Sequence, residues 1–143
     1  MKDIVAAARG LAHRAHAGQV DKAGRPYIEH VARVAAAVAD DPEAEAVAWL
    51  HDVYEDAKHL WPQASQLPSH IRASVLRMSR NWDDAYHYYE RIKDLPLALR
   101  VKLADIADNA DESRLALLDD ATANRLRRKY AKALRMLGGN GRG

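Results

Sequence analysis

At 143 residues with a formal net charge of +2, the chain has the length of one domain with a full core, and its charge alone makes no case for nucleic acid. The pI of about 8.9 leaves the surface open to anionic ligands. The absence of cysteine excludes disulfides, thiolate metal sites and thiol nucleophiles.

Taken in order, the chain reads as helices nearly throughout. Residues 3–17 put Ile4, Val5, Ala8, Leu11, Ala12 and Ala15 on one stripe at helical spacing, with Gly18 as the stop. Residues 18–26, GQVDKAGRP, form a loop. A second helix starts at about Tyr27 and turns Ile28, Val31, Val34, Ala35 and Val38 inward. Asp41-Pro42-Glu43 is a helix start: the aspartate caps, proline suits the first turn, and glutamate suits the positive end of the dipole.

Residues 57–68, with two prolines, read as a loop with one short turn at most. Helices follow from Ser69 to Met78, from Trp82 to Ile92 and from Pro96 to about Ala110. The last begins at Thr122 and spaces Leu126, Tyr130, Leu134 and Leu137 along one face. No alternating strand pattern is present, so an all-α, bundle-like domain over residues 1–137 is predicted, with residues 138–143 as a flexible glycine-rich tail. No apolar stretch approaches the roughly 20 residues of a membrane span, and the N-terminus lacks the layout of a signal peptide. A soluble, cytoplasmic protein with no membrane partner is therefore expected.

Chemistry concentrates in the stretch Ala48 to Asp56, AWLHDVYED, at the end of the apolar run Ala44, Val47, Ala48 and Leu50. His51 and Asp52 offer a neutral nitrogen and an anionic oxygen within one helical turn. Read as continuous helix, Glu55 stands over His51 and Asp56 over Asp52. Carboxylates this crowded are costly unless a cation or a shared proton relieves them. Two further ligands sit on other helices: His30 in PYIEHVARV, and Asp105 in LRVKLADIADN, where Leu99, Val101, Leu103 and Ala104 predict burial. A carboxylate in so apolar a setting needs a partner. Two imidazoles and two carboxylates suit one divalent first-row ion such as manganese, iron, cobalt or zinc better than calcium. Four protein ligands leave positions open for water and a phosphate oxygen.

The series HAGQVDKAGRPYIEH, LHDVYED and KLADIADN, in that order, resembles the HD phosphohydrolase superfamily. More narrowly it is similar to the hydrolase domain of the RelA/SpoT family, which removes the 3′-pyrophosphate of guanosine tetra- and pentaphosphate. The resemblance implies that His30, His51, Asp52 and Asp105 hold one divalent ion, commonly manganese. It implies that Glu55 and Asp56 orient and deprotonate the attacking water and hand a proton to the leaving oxygen. Asn109 matches a residue that hydrogen-bonds the nucleotide near its sugar, and Lys22 matches a basic loop residue that meets phosphates. The implied partner is a phosphorylated nucleotide, attacked in line at phosphorus. Two places depart from the pattern. Asp21 stands where the family carries an arginine that stacks on guanine, which a carboxylate cannot supply. The stretch with Asp108, Asn109, Asp111 and Arg114 differs from the usual RelA/SpoT wording and resembles a branch of short stand-alone HD proteins.

Plainer readings stand beside these. Glu55 and Asp56 can also cap the following turn or bind Lys58, and Asn109 can be a helix stop. His13, His16, His59, His70 and His87 have no second ligand at a useful spacing. Tyr86, Tyr88 and Tyr89 read as packing residues, and Arg80 equally as a phosphate contact or as surface. The basic stretch Arg125, Arg127, Arg128, Lys129, Lys132 and Arg135 reads as a solvated face rather than a nucleic-acid surface. Oligomeric state is left open, a homo-oligomer included.

Overall fold

The computed structural model describes residues 3–80 and 85–138. It is all-α, with no strand among those residues. The α-helices are α1 (Ile4–Ala15), α2 (Tyr27–Ala37), α3 (Pro42–Leu50), α4 (Val53–Asp56), α5 (Ser69–Met78), α6 (Ala85–Lys93), α7 (Pro96–Asn109), α8 (Glu112–Leu115) and α9 (Asp120–Met136). A 3₁₀ segment, Lys58–Gln66, joins α4 to α5.

Helix α3 lies at the centre, packed on α1, α2, α5 and α7. Its start follows the sequence chemistry: the Asp41 carboxylate accepts from the Glu43 amide at 3.0 Å, and Pro42 fills the first turn. From Ala44 onward every α3 residue is buried except Glu45, which accepts from the Trp49 indole N–H at 3.1 Å and so leaves that donor satisfied. The functional stretch is thereby anchored to the most buried element of the fold.

Loop 18–26 is a closed hairpin. The Asp21 side chain accepts from the Ala23 and Arg25 amides, both at 2.9 Å, an Asx-type turn. An isolated antiparallel bridge joins Val20 to Pro26. Gly24 sits at φ +83°, where a side chain would be strained.

Four expectations need correction. The helix through AWLHDVYED is broken: α3 stops at Leu50, His51 and Asp52 form a turn, and α4 restarts at Val53. Residues 58–66 are a 3₁₀ helix rather than a loop. Trp61, Ala64 and Leu67 recur every three residues, so one edge of a threefold helix packs on the core. Leu103, expected to mark a buried helix, is 38 % exposed, while Val101 and Ile106 carry the packing of α7. The short α8 was not foreseen; Asp111 caps it through the Ser113 amide at 2.9 Å.

The last helix starts two residues before Thr122, where Asp119 caps the Thr122 amide at 2.8 Å. It ends at Met136, and Gly138 follows in the left-handed conformation. The remainder of the predicted tail, and the start of the helix predicted from Trp82, lie outside the described residues.

Candidate metal centre

Three segments bring the predicted ligands together. His30 comes from α2, His51 and Asp52 from the turn after α3, and Asp105 from α7. One ligand atom from each of the four lies within 4.8 Å of the others. His30, His51 and Asp105 are buried, and Asp52 is half-buried. The break after Leu50 makes this possible. As the C-cap of α3, His51 donates from Nδ1 back to the Ala48 carbonyl at 2.7 Å, which leaves Nε2 pointing inward with its lone pair.

The partners on the outer side of each ligand match the needs of a metal site. His30 donates from Nδ1 to the Asp108 carboxylate at 2.7 Å, so its Nε2 also faces the cluster. Tyr27 donates its hydroxyl to Asp52. Asn109 donates from its amide to Asp105 Oδ1 at 3.2 Å, and Lys102 stands 3.1 Å from Asp105 Oδ2. Both inward imidazole nitrogens converge on one carboxylate oxygen, Asp105 Oδ1, at 2.9 Å for His30 and 3.2 Å for His51. His51 Nε2 also lies 3.1 Å from Asp52 Oδ2. Two lone pairs and two carboxylates facing one point require a positive charge there, either protons or an ion. The donor set therefore fits a divalent metal ion: two neutral nitrogens, two anionic oxygens, and an orienting partner for each.

Titration behaviour has the same origin. Burial opposes charge on His30 and His51, but the facing carboxylates win and raise both, His51 well above its ordinary value. Burial likewise opposes charge on Asp105, yet Lys102 and the two histidines hold it well below the usual range. Asp52 is held low by His51 against the same opposition. Asp108 falls to about 2 despite partial burial, because it meets His30, Arg33 and Arg114.

Glu55 and Asp56 are placed apart. Glu55 lines a cavity of about 140 Å³ together with His51, Asp52 and Asp105. Burial first, then the neighbouring charges of Asp52 and Asp56, push its carboxyl group up toward the protonated form. Asp56 turns to loop 18–26, where Gln19 donates to it at 3.1 Å and His16 Nδ1 stands 4.0 Å away. His16 is itself buried and bonded through Nδ1 to Gln19 Oε1 at 2.8 Å, and its Nε2 has no partner among the described residues.

A larger cavity of about 450 Å³ adjoins, and Tyr27, Asn109 and Tyr130 line both. Lys22 is exposed and lines only the larger one. Asn109 is committed on both sides of its amide, donating to Asp105 and accepting from Arg114 at 3.2 Å. Its observed contacts are thus to the metal cluster and to Arg114. Asp21 accepts from Arg114 at 3.0 Å. Arg114 also donates to Asp108 at 2.8 Å, which ties the loop to the residue that orients His30.

The sequence alone gives no role in the site to Tyr27, Lys102, Asp108 or Arg114, and Lys129 reads there as part of a solvated face. Three of these carried a signal. Lys102 and Asp108 lie three residues on either side of Asp105, within one helical turn. Tyr27 precedes His30 by three, and their rings stand 5.3 Å apart. Arg114 and Lys129 come from other helices and carried none. Tyr88 and Tyr89 are buried, as a packing role requires, and Tyr86 is exposed. The basic residues of α9 are exposed, with Arg127 paired to Glu112 at 2.8 Å. Among the described residues no helix is long and apolar enough to cross a membrane.

Compared with known proteins, the chain matches no family model and no curated protein.

Proposed function

We propose that this protein is a metal-dependent phosphohydrolase acting on a phosphorylated nucleotide. The observation that carries this reading is the convergence of His30, His51, Asp52 and Asp105 on one point, with Glu55 on the wall of the same cavity. A divalent ion held by those four residues supplies Lewis acidity, lowering the pKa of water and neutralising charge on phosphoryl oxygens. Glu55 orients the attacking water and takes its proton, for which a raised carboxyl pKa suits it better than an ordinary one. The motif series gives Asp56 the task of handing a proton to the leaving oxygen, and Gln19 holds it beside the loop. The 140 Å³ cavity beside the ligands suits a phosphoryl group, and the adjoining 450 Å³, in the size range of small-molecule pockets, suits the nucleoside.

The leading substrates are guanosine 3′-pyrophosphates, on the strength of the motif series. A nucleotide with another base is the second reading. It is favoured by the Asp21–Arg114 pair, which occupies the loop position that a stacking arginine would need. A third reading, a sensor that binds nucleotide without cleaving it, gains from the hydrogen bond that turns Asp56 away from the small cavity.

The test is a product screen of Mn²⁺-loaded protein against phosphorylated nucleotides, guanosine 3′-pyrophosphates included, beside the Asp52→Ala variant. Release of phosphate or pyrophosphate is expected from the wild type, with a fall of at least about a thousandfold in the variant, a loss of several kcal/mol of transition-state stabilisation. Equal turnover in both proteins defeats the hydrolase reading. Tight nucleotide binding without product assigns the sensor.

A further inference from the structure

The small cavity gathers charges of both signs: Asp52, Glu55 and Asp105 line it together with Arg80, Lys102 and Lys129. The three cations come from separate parts of the chain: the residue following α5 and Ser79, then α7, then α9. Their placement is built rather than incidental. Tyr88, buried and anchored by its hydroxyl to the Met78 carbonyl at 2.8 Å, lies beneath two of them. The Arg80 guanidinium stands 3.9 Å from the centre of its ring and the Lys102 ammonium 5.3 Å. Only Lys102 has a carboxylate partner among the described residues, Asp105.

A divalent ion held by Asp52 and Asp105 neutralises those two carboxylates and leaves the cations of Arg80, Lys102 and Lys129 in excess, and the matching ligand is a dianion. We infer that Arg80, Lys102 and Lys129 form a phosphate-binding wall beside the metal centre, specific for a phosphomonoester or inorganic phosphate dianion and assembled electrostatically only when the ion is bound. The inference rests on the metal-centre reading above and assigns residues that the motifs did not.

The state of Lys129 agrees with this. Partial burial first, then the positive charges of Arg80, Lys102, Lys22 and Arg125, disfavour its ammonium form, so like charges are gathered there. An anion between them removes that repulsion. Because ion and phosphate each improve the other's electrostatics, their binding is reciprocally coupled.

Inorganic phosphate is the probe. In Mn²⁺-loaded protein, phosphorus NMR reads phosphate within reach of the bound ion by paramagnetic broadening, and electron spin resonance of free Mn²⁺ reads metal affinity separately. For Lys129→Gln and for Arg80→Gln, phosphate affinity is expected to fall about tenfold or more, the worth of one charge-assisted hydrogen bond, with Mn²⁺ affinity nearly unchanged. Lys129→Arg keeps the charge and is expected to retain binding. Lys129 is an exposed position on α9, so its replacement leaves the fold intact. Calorimetry on metal-free wild type is expected to show phosphate binding weaker by a similar factor.

The inference is overturned if both glutamine variants bind phosphate as the wild type does, or if the loaded wild type binds none. Phosphate binding of equal strength with and without metal also overturns it. A protein that shows this phosphate binding yet releases nothing from any nucleotide keeps the wall and loses the hydrolase reading. One that hydrolyses nucleotides while both variants bind phosphate normally loses the wall alone.

Discussion

Asp105→Ala is expected to destabilise the metal-free protein by about 3–5 kcal/mol, the cost of removing one partner from a buried ion pair. For a chain of this size that corresponds to a fall in melting temperature on the order of 10 °C. The reason lies in what surrounds the carboxylate. Asp105 receives His30, His51 and Asn109 at one oxygen and Lys102 at the other. Without it the largely buried Lys102 loses its only carboxylate partner among the described residues, and two imidazoles face each other with nothing anionic between them but Asp52. Metal binding should be lost as well, since the shared oxygen is the centre of the site. Asp105→Asn separates the two effects. Its amide keeps the shape and much of the packing but lacks the charge, so stability should recover in part while metal affinity does not. Thermal melts and a Mn²⁺ titration of both variants check this; an alanine variant as stable as the wild type would show that the cluster carries no folding energy.

The second expectation concerns pH, and its sign reverses with metal. In the metal-free protein His30 and His51 titrate above their ordinary 6.5. Their contribution to stability is complete below that value and is lost as pH rises through the raised folded values. Asp52, Asp105 and Asp108 titrate below their ordinary 3.8. Their contribution is present above 3.8 and is lost as pH falls through the depressed values. The metal-free protein should therefore be most stable between about pH 4 and 6.5, with its melting temperature falling toward neutral and alkaline pH. A divalent ion competes with the same histidine protons, so its stabilisation grows as pH rises. Melting curves from pH 4 to 9, with chelator and with excess Mn²⁺, should diverge as pH increases. Parallel curves would mean that the histidines carry no proton for metal to displace.

Much of this was legible in the chain because short-range chemistry decides it. Ala44 to Leu50 is apolar enough to be a central helix, and Asp41-Pro42-Glu43 fixes where it starts. The four candidate ligands were readable because carboxylates and imidazoles amid apolar neighbours need one another. The turn at His51 and Asp52 was not readable, since LHDVYED contains neither glycine nor proline to mark a break. It arises from a tertiary demand: the His51 ring folds back on the Ala48 carbonyl while Tyr27, from another helix, takes Asp52. Glu55 and Asp56 both lie beyond that break, on α4.

Long-range pairs were equally hidden. Asp108 meets His30 across 78 positions, and Asp21 meets Arg114 across 93; no local pattern encodes such a match. Asp21 forms an ion pair with Arg114, and both line the larger cavity. Lys22 and Asn109 were proposed from motif alone. The structure puts both on the larger cavity, but commits Asn109 to Asp105 and Arg114.

The central claim is that three separate segments hold one divalent ion. Crystals grown with Mn²⁺ and measured for anomalous scattering test it most directly. The expected result is a single strong peak bonded to His30 Nε2, His51 Nε2 and carboxylate oxygens of Asp52 and Asp105, with Asp108 and the Ala48 carbonyl still holding the outer imidazole nitrogens. Absence of a peak there, with both imidazoles still hydrogen-bonded to Asp105 Oδ1 in excess metal, would contradict the account.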